Sequence, residues 1–195
     1  MRLPFYAILV AAITTAPTLA ADNWAIDGAH SSANFGVKHM MVSTVNGSFH
    51  KLTGNVVYNG KDLKGAAVEA NIDASTINTG DDGRDKHLRN ADFFDVEKFP
   101  TITFKSKKVV PQKDGNFDIV GDLTMHGVTK EVTLHAEPMS PPITMKGKTK
   151  VGTSATTEIN RKDFGLSYGG LLDNGGAMIS DKVKIELNLE LTKEG

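Results

Sequence analysis

The stretch Arg84-Asp85-Lys86-His87-Leu88-Arg89-Asn90-Ala91-Asp92-Phe93-Phe94-Asp95-Val96-Glu97-Lys98-Phe99-Pro100-Thr101-Ile102-Thr103-Phe104-Lys105-Ser106 changes character halfway along. Its first half predicts a short helix. Asp81 and Asp82 stand where an N-cap accepts backbone hydrogen bonds, and Arg89 stands near the other end, where a cation suits the dipole. Phe93, Phe94 and Phe99 then crowd together, and Pro100 stops any helix. Residues 101–106 alternate as a strand does, with Ile102 and Phe104 on one face. Outward from here almost everything reads as strand and turn, so this charged, aromatic-tipped helix interrupts an otherwise all-β chain.

On the N-terminal side, residues 24–27 read as a short strand before Gly28. Residues 31–38 set Ala33, Phe35 and Val37 against Asn34 and Lys38. Met40 and Met41 lead into residues 45–58, where Val45, Gly47 and Phe49 share a face before the Asn59-Gly60 turn. Val68, Ala70 and Ile72 share the next face. On the C-terminal side, Pro111 ends a strand and Asp114-Gly115 turns the chain. Phe117, Ile119, Gly121, Leu123 and Met125 then alternate with polar residues up to His126-Gly127. Val128, Val132, Leu134 and Ala136 return, followed by a Pro- and Gly-bearing loop over 138–148. Residues 149–161 alternate with small side chains, and residues 164–177 are Gly-rich and irregular. Val183, Ile185, Leu187, Leu189 and Leu191 alternate with Lys182, Lys184, Glu186, Asn188 and Glu190. About eight strands of period two, joined mostly by hairpin turns, predict an all-β, antiparallel eight-stranded barrel with one helical insertion. Closure covers the one-sided inner faces and removes exposed edges; a two-sheet sandwich is the alternative.

A barrel of eight strands is either packed by its side chains or holds one small ligand. Val151, Thr153, Ala155 and Thr157 form a face of small residues, and Ala33, Gly47, Ala66 and Ala70 add more. Such a wall leaves volume unfilled, unless Phe35, Phe49, Phe104 and Phe117 occupy it.

The first twenty residues form a separate object. Arg2 precedes an apolar run over 5–13, and Leu19-Ala20-Ala21 offers small residues for cleavage, which predicts a secretory signal peptide over 1–20 and a single domain over 21–195. The run is too short for a transmembrane helix, and no Cys follows it to carry a lipid, so no stable membrane anchor is expected. The chain has no cysteine at all, and its formal net charge is −1. That excludes a disulfide framework and thiolate chemistry, and it leaves no electrostatic footprint for nucleic acid. An exported, cysteine-free chain suits a bacterial periplasm.

The 84–106 stretch also carries a resemblance. Arg84-Asp85-x-His87-Leu88-Arg89-x-x-Asp92-Phe93-Phe94 followed by Phe99-Pro100-x-Ile102-x-Phe104-x-Ser106 resembles the signature of the YceI family. Trp24-x-Ile26-Asp27-x-x-His30-Ser31, Phe35-x-Val37-Lys38-His39, Gly121-Asp122-Leu123-Thr124-x-x-Gly127-Val128-Thr129-Lys130 and Arg161-Lys162-Asp163-Phe164-Gly165 are similar to its other blocks, in the right order. The resemblance implies a secreted bacterial protein with a lipocalin-like barrel. It further implies a binding or carrier role, in transport, for a long apolar ligand: a polyisoprenoid, quinone or fatty-acid derivative. On that reading Phe35, Val37, Phe49, Ile72, Leu88, Phe93, Phe94, Phe104, Leu123, Met125, Ala155, Ile159, Phe164 and Leu187 are the candidate lining residues. The bound lipid is the only partner molecule implied, with no cofactor. Monomer and homodimer both stay open.

Arg84, His87 and Arg89 are candidate head-group contacts, since cations at a barrel mouth would meet a phosphate or carboxylate. The competing reading, which Asp85 favours, is a helix pinned to the barrel by Arg84 and Asp85 hydrogen bonds. Histidines 30, 39, 50, 87, 126 and 135 show no metal-ligand spacing. His30-Ser31 lacks a nucleophile elbow, and no glycine loop suits a phosphate, so neither a metal nor catalysis is expected. Two other functions stay open: a stress-response protein sequestering toxic apolar compounds, and an enzyme acting on a lipid inside the barrel.

Overall fold

The computed structural model describes residues 22–60, 62–63 and 65–194; the expected leader lies outside the described residues. Eight antiparallel strands close a ring. These are β1 (Asp22–Ile26), β4 (Leu52–Tyr58), β5 (Ala67–Asp73), β6 (Thr101–Pro111), β7 (Phe117–Met125), β8 (Val128–Ala136), β10 (Lys148–Asn160) and β11 (Ile179–Lys193). Each pairs with the next in that order, and β11 pairs back onto β1. The ring leaves no open edge at its girth, which is what the one-sided alternation of its strands requires.

Three further strands extend the ring. β11 is long enough to take two partners along one edge. Its residues 191–193 pair with β1, and residues 179–188 pair with β2 (Ser32–His39), which in turn pairs with β3 (Ser43–Phe49). The short β9 (Ile143–Met145) turns back on the start of β10. Residues 45–58, expected as one continuous strand segment, are therefore two strands. The chain breaks at His50-Lys51, where Lys51 adopts φ 54. The Thr76 hydroxyl holds the break, accepting from His50 N–H at 3.0 Å and donating to His50 C=O at 2.7 Å.

The expected helix is α1 (Asp82–Arg89), capped by Asp81, whose carboxylate accepts from Arg84 N–H at 2.8 Å. It lies beside the seam between β3 and the chain leaving β5. Among the described residues, β3 and that chain share one ladder contact, the bridge Ser48–Asn78. Among the described residues no helix is long and apolar enough to cross a membrane.

Not all the small inner residues leave space. A Cβ built on Gly47 would lie 2.3 Å from Phe35 Cζ, and one on Gly121 would lie 2.6 Å from Phe104 Cζ. Gly47 therefore corrects the simple volume argument: it is a seat for a ring, as Gly121 is. Gly121 also faces Lys105 C=O at 2.5 Å from that Cβ position, beside the irregular register of β6 and β7 at Ser106/Lys108. Overpacking of this kind typically costs about 1–3 kcal/mol. Gly121→Ala should lose stability on that scale in denaturant unfolding, whereas Gly170→Ala, with nothing near its Cβ position and no left-handed backbone, should not. Equal stability of Gly121→Ala and wild type would show that the Phe104 ring and the backbone at Lys105 and Ser106 all give way freely.

Candidate ligand-binding site

The barrel encloses a cavity of about 440 Å³, the size of a small-molecule pocket. Period-two alternation builds its wall. β11 contributes Val183, Ile185, Leu187, Leu189 and Leu191; β10 contributes Thr153, Ala155, Thr157 and Ile159; β5 contributes Val68, Ala70 and Ile72. Ala155 is paired with Leu187 on one side and Ala136 on the other, so two adjacent strands present methyl groups. Phe35, Phe49, Phe104 and Phe117 all reach the wall without filling the space between them.

Of the expected lining residues, Phe35, Val37, Phe49, Ile72, Leu88, Phe93, Phe94, Phe104, Leu123, Met125, Ala155, Ile159 and Leu187 stand on this wall. Phe164 does not. It is fully buried in the helical turn after β10, in the cluster with Ile77, Met125 and Leu166, and its C=O faces His126 Nδ1 at 3.2 Å.

The two ends of the cavity differ. Five wall residues are also exposed to solvent: Lys38, His39, Arg84, Tyr168 and Met178. Contacts put all of them together. His39 pairs with Ile179, Met40 N–H donates to Met178 C=O at 2.8 Å, and the Tyr168 ring lies edge-on to His87, 4.9 Å between centroids. This end is the mouth. At the other end, Leu63 and Met139 pack between two buried clusters around Trp24 and Phe117.

Aromatic rings lead inward from the mouth. Phe93 packs on His87 and Tyr168, with centroids 5.0 and 4.8 Å away. Phe94 instead turns into the barrel and meets Phe49 edge-on at 5.5 Å, and Phe49 continues to Phe35 at 5.7 Å.

The charged cluster on α1 is first of all a fastening. Asp85 is buried, and its carboxylate accepts from both the backbone N–H (2.9 Å) and the hydroxyl of Thr79. Arg84 donates from Nε to Thr79 Oγ1 at 2.7 Å and from Nη2 to Thr79 C=O at 3.0 Å. Arg89 donates to Ser75 C=O at 2.8 Å and Ile77 C=O at 3.0 Å, and it stands off the cavity wall. His87 borders the cavity while its Nε2 lies 3.0 Å from Asp92. Of the expected head-group contacts, then, Arg84 and His87 reach the cavity and Arg89 holds backbone instead.

Alternation missed several wall residues. Lys38, expected on the outer side of β2, reaches the rim where the strand ends. Arg161 also borders the cavity, buried, with its guanidinium donating to the C=O groups of Tyr168, Ser180 and Ile179 at 2.8, 2.9 and 3.2 Å. It thereby fixes the loop that carries Tyr168. Tyr58 and Val56 were legible as one face of β4, two residues apart. Among the described residues, every charged wall residue is a cation or a histidine, and none is Asp or Glu.

Asp27, His30 and Glu190 bring three metal-type ligands together away from the mouth. Lys150 already supplies the cation there, with Nζ 2.8 Å from Asp27 Oδ2 and bonded to Glu190 Oε1. The cluster ties β10 and β11 to the end of β1.

Comparison with known proteins agrees with this architecture. The YceI-like domain matches residues 24–191. A Vibrio cholerae UPF0312 protein is 35% identical over 193 residues, 97% of this chain and 98% of the relative. A Staphylococcus aureus UPF0312 protein is 38% identical over 174 residues, 87% and 97% of the two chains. Among solved structures, a Campylobacter jejuni YceI protein superposes with TM-score 0.69 at 27% identity, covering 81% of this chain and 90% of its own. A polyisoprenoid binding domain from Saccharophagus degradans, implicated in plant cell wall breakdown, superposes with TM-score 0.64 at 18% identity, covering 88% and 98%.

The ion cluster gives a pH dependence. Lys150, and after it His30, holds the Asp27 carboxyl well below the usual carboxylate range. A depressed folded-state value stabilises the protein above the unfolded value of about 3.9, and the contribution fades as pH falls below it. Asp27→Asn should lower the melting temperature at neutral pH and flatten its decline between about pH 4 and 2. Melting curves of variant and wild type that stay parallel through that range would mean the carboxylate is not what the acid limb reads.

Proposed function

We propose, starting from the fact that the chain belongs to the YceI-like family, that its barrel carries a polyisoprenoid or similar long-chain lipid in the periplasm. The protein is a barrel-shaped, non-catalytic binding protein for an apolar ligand. The observation that carries the finer reading is the cavity, about 440 Å³, apolar for most of its length and open only where cations and aromatic rings gather. A long hydrocarbon needs no special chemistry to bind there. Each buried methylene contributes about 0.8 kcal/mol, so a chain of about twenty carbons gains on the order of 10 kcal/mol or more before association and ordering costs. The binding domain from Saccharophagus degradans described above shares the fold and supports the isoprenoid choice among apolar ligands.

Lys38, Arg84 and His87 would then meet the polar end of the ligand. With no carboxylate among the described wall residues, an anionic end such as a phosphate or carboxylate is the better match. Export by the 1–20 leader belongs to the same proposal.

The test of the carrier reading is a paired experiment on Ala155→Phe. Ala155 lies on the wall between Ala136 and Leu187. The added ring should enter the cavity, leaving ligand-free stability little changed in denaturant unfolding. Titrations with geranylgeraniol, a long-chain quinone and a fatty acid should all lose affinity sharply. Destabilisation by about 1–3 kcal/mol with binding unaltered would mean that this wall is core and not pocket. Equal, weak affinity of the wild type for the whole panel would favour the sequestering role over a dedicated carrier.

The head-group reading has its own measurement. Lys38→Gln and Arg84→Gln should weaken geranylgeranyl phosphate more than geranylgeraniol, whereas Arg89→Ala should lower stability without changing the preference. Equal losses for both lipids would remove the anion from the proposal.

A further inference from the structure

The mouth carries a feature that lipid capture in solution does not need. We infer that its rim seats on a lipid bilayer, so that apolar cargo passes between membrane and barrel without crossing water. The inference rests on the carrier reading.

Eight large apolar side chains are exposed among the described residues, and six of them gather at this end: Met40, Met41, Val42, Tyr168, Leu171 and Met178. Val42 is 85% exposed, Leu171 76% and Met41 66%. They sit on two tips, the β2–β3 turn and the loop before β11. Backbone bonds hold the tips to each other and in shape: Met40 N–H to Met178 C=O at 2.8 Å, and Leu172 N–H to Gly176 C=O at 2.7 Å. Met41 lies over Gly176, where a Cβ would be 3.5 Å from its Cγ. The exposure is therefore built into the fold.

Turn geometry does not explain it. Val42 N–H donates to His39 C=O at 3.0 Å around Met40 at φ 52 and Met41 at φ 61. That conformation favours Asn-Gly. The turns at Asp114-Gly115, His126-Gly127 and Lys146-Gly147 all place glycine second, at φ 79, 74 and 76. Two methionines in left-handed conformation keep apolar side chains where the backbone alone would favour glycine.

Charge selects the occupant. The two tips, residues 36–46 and 165–179, carry one lysine, Lys38, one aspartate, Asp173, and His39, while Arg84 and His87 of the mouth lie on α1, outside the tips. Near-neutral apolar tips enter a bilayer interface with little charge to desolvate, and Tyr168 suits the headgroup level. A second copy of the chain fits less well. A stable dimer buries about 800 Å² per partner over roughly 20–30 residues, more than two loop tips offer. It would also close the mouth.

The double variant Met40→Asn/Met41→Gly tests this, because it relaxes the turn while removing the side chains. Wild type should co-sediment with phosphatidylcholine vesicles, with little change between low and high salt. The double variant should keep or gain thermal stability, keep its affinity for farnesol in solution, and lose vesicle binding about tenfold or more. Leu171→Ser, on the other tip, should also weaken vesicle binding. Wild type that stays off the vesicles, or a double variant that binds them undiminished, would overturn the inference. So would a concentration-dependent dimer in sedimentation velocity that the double variant abolishes, since it would assign the patch to a second copy. Vesicle binding without farnesol binding would instead sink the carrier reading and leave the rim standing.

Discussion

The barrel depends on a knot of hydrogen bonds around Thr79. Its N–H and hydroxyl both reach the buried Asp85 carboxylate, while its hydroxyl oxygen and C=O accept from Arg84. Residues 74–79 lie where the wall lacks a ladder: among the described residues, β3 pairs with this segment through one bridge, Ser48–Asn78. Each side-chain hydrogen bond gained by its carbonyls and N–H groups contributes about 0.5–1.5 kcal/mol, less where the groups also meet solvent. Arg84, Asp85 and Arg89 supply those bonds and fasten α1 across the seam. Once α1 is fastened, Leu88, Phe93 and Phe94 complete the cavity wall, so a cluster that reads as a functional site in one dimension is chiefly what makes the site's geometry.

The second constraint is volume. Sealed and dry, a void of about 440 Å³ would cost on the order of 10 kcal/mol on the scale measured for cavity-creating substitutions. That is comparable to the whole stability of a typical domain. Two features reduce it here. The mouth opens to solvent at Lys38, His39 and Arg84, so the space need not stay empty. Two phenylalanines set the ends of their rings against glycines, Phe35 Cζ at Gly47 and Phe104 Cζ at Gly121, so ring area is buried against the wall. The same sheet thus has a packed lining and an unfilled core, and an apolar guest restores the contacts the centre lacks.

Much of this was legible in the sequence because a barrel strand has only two faces. Once β11 alternates from Val183 to Leu191, its inner residues follow, and the same logic applies to the expected lining residues that lie on strands; Leu88, Phe93 and Phe94 reach the wall from α1 and the turn after it. What failed was whatever alternation does not encode. Phe164 lies in a helical turn after β10, where period two has ended, and it packs beneath the wall. Arg89 points at carbonyls twelve and fourteen residues away, a pairing fixed by how α1 crosses the seam. Lys38 alternates outward, yet the strand ends beside it and its side chain reaches the rim. Gly47 counted as missing volume until the ring lying on it came into view. In each case the deciding contact is between segments, and neither propensity nor periodicity of one segment contains it.

Affinity and selectivity are consequently located in different parts of the molecule. The inner faces of β5, β10 and β11 offer methyl, methylene and ring carbon along the whole wall, so their contribution grows with ligand length and is indifferent to its chemistry. Discrimination has to come from the polar end of the ligand, and the fold collects the charged wall groups at one mouth. Arg84 belongs to both parts: Nε and Nη2 are engaged with Thr79, which holds the guanidinium still at the edge of the cavity. An arginine fixed by its structural bonds loses little further freedom on meeting an anion, and preorganisation of that kind favours binding. On the proposed head-group reading, the fastening of the helix and the meeting with a head group would be successive consequences of one side chain's placement, not competing accounts of it.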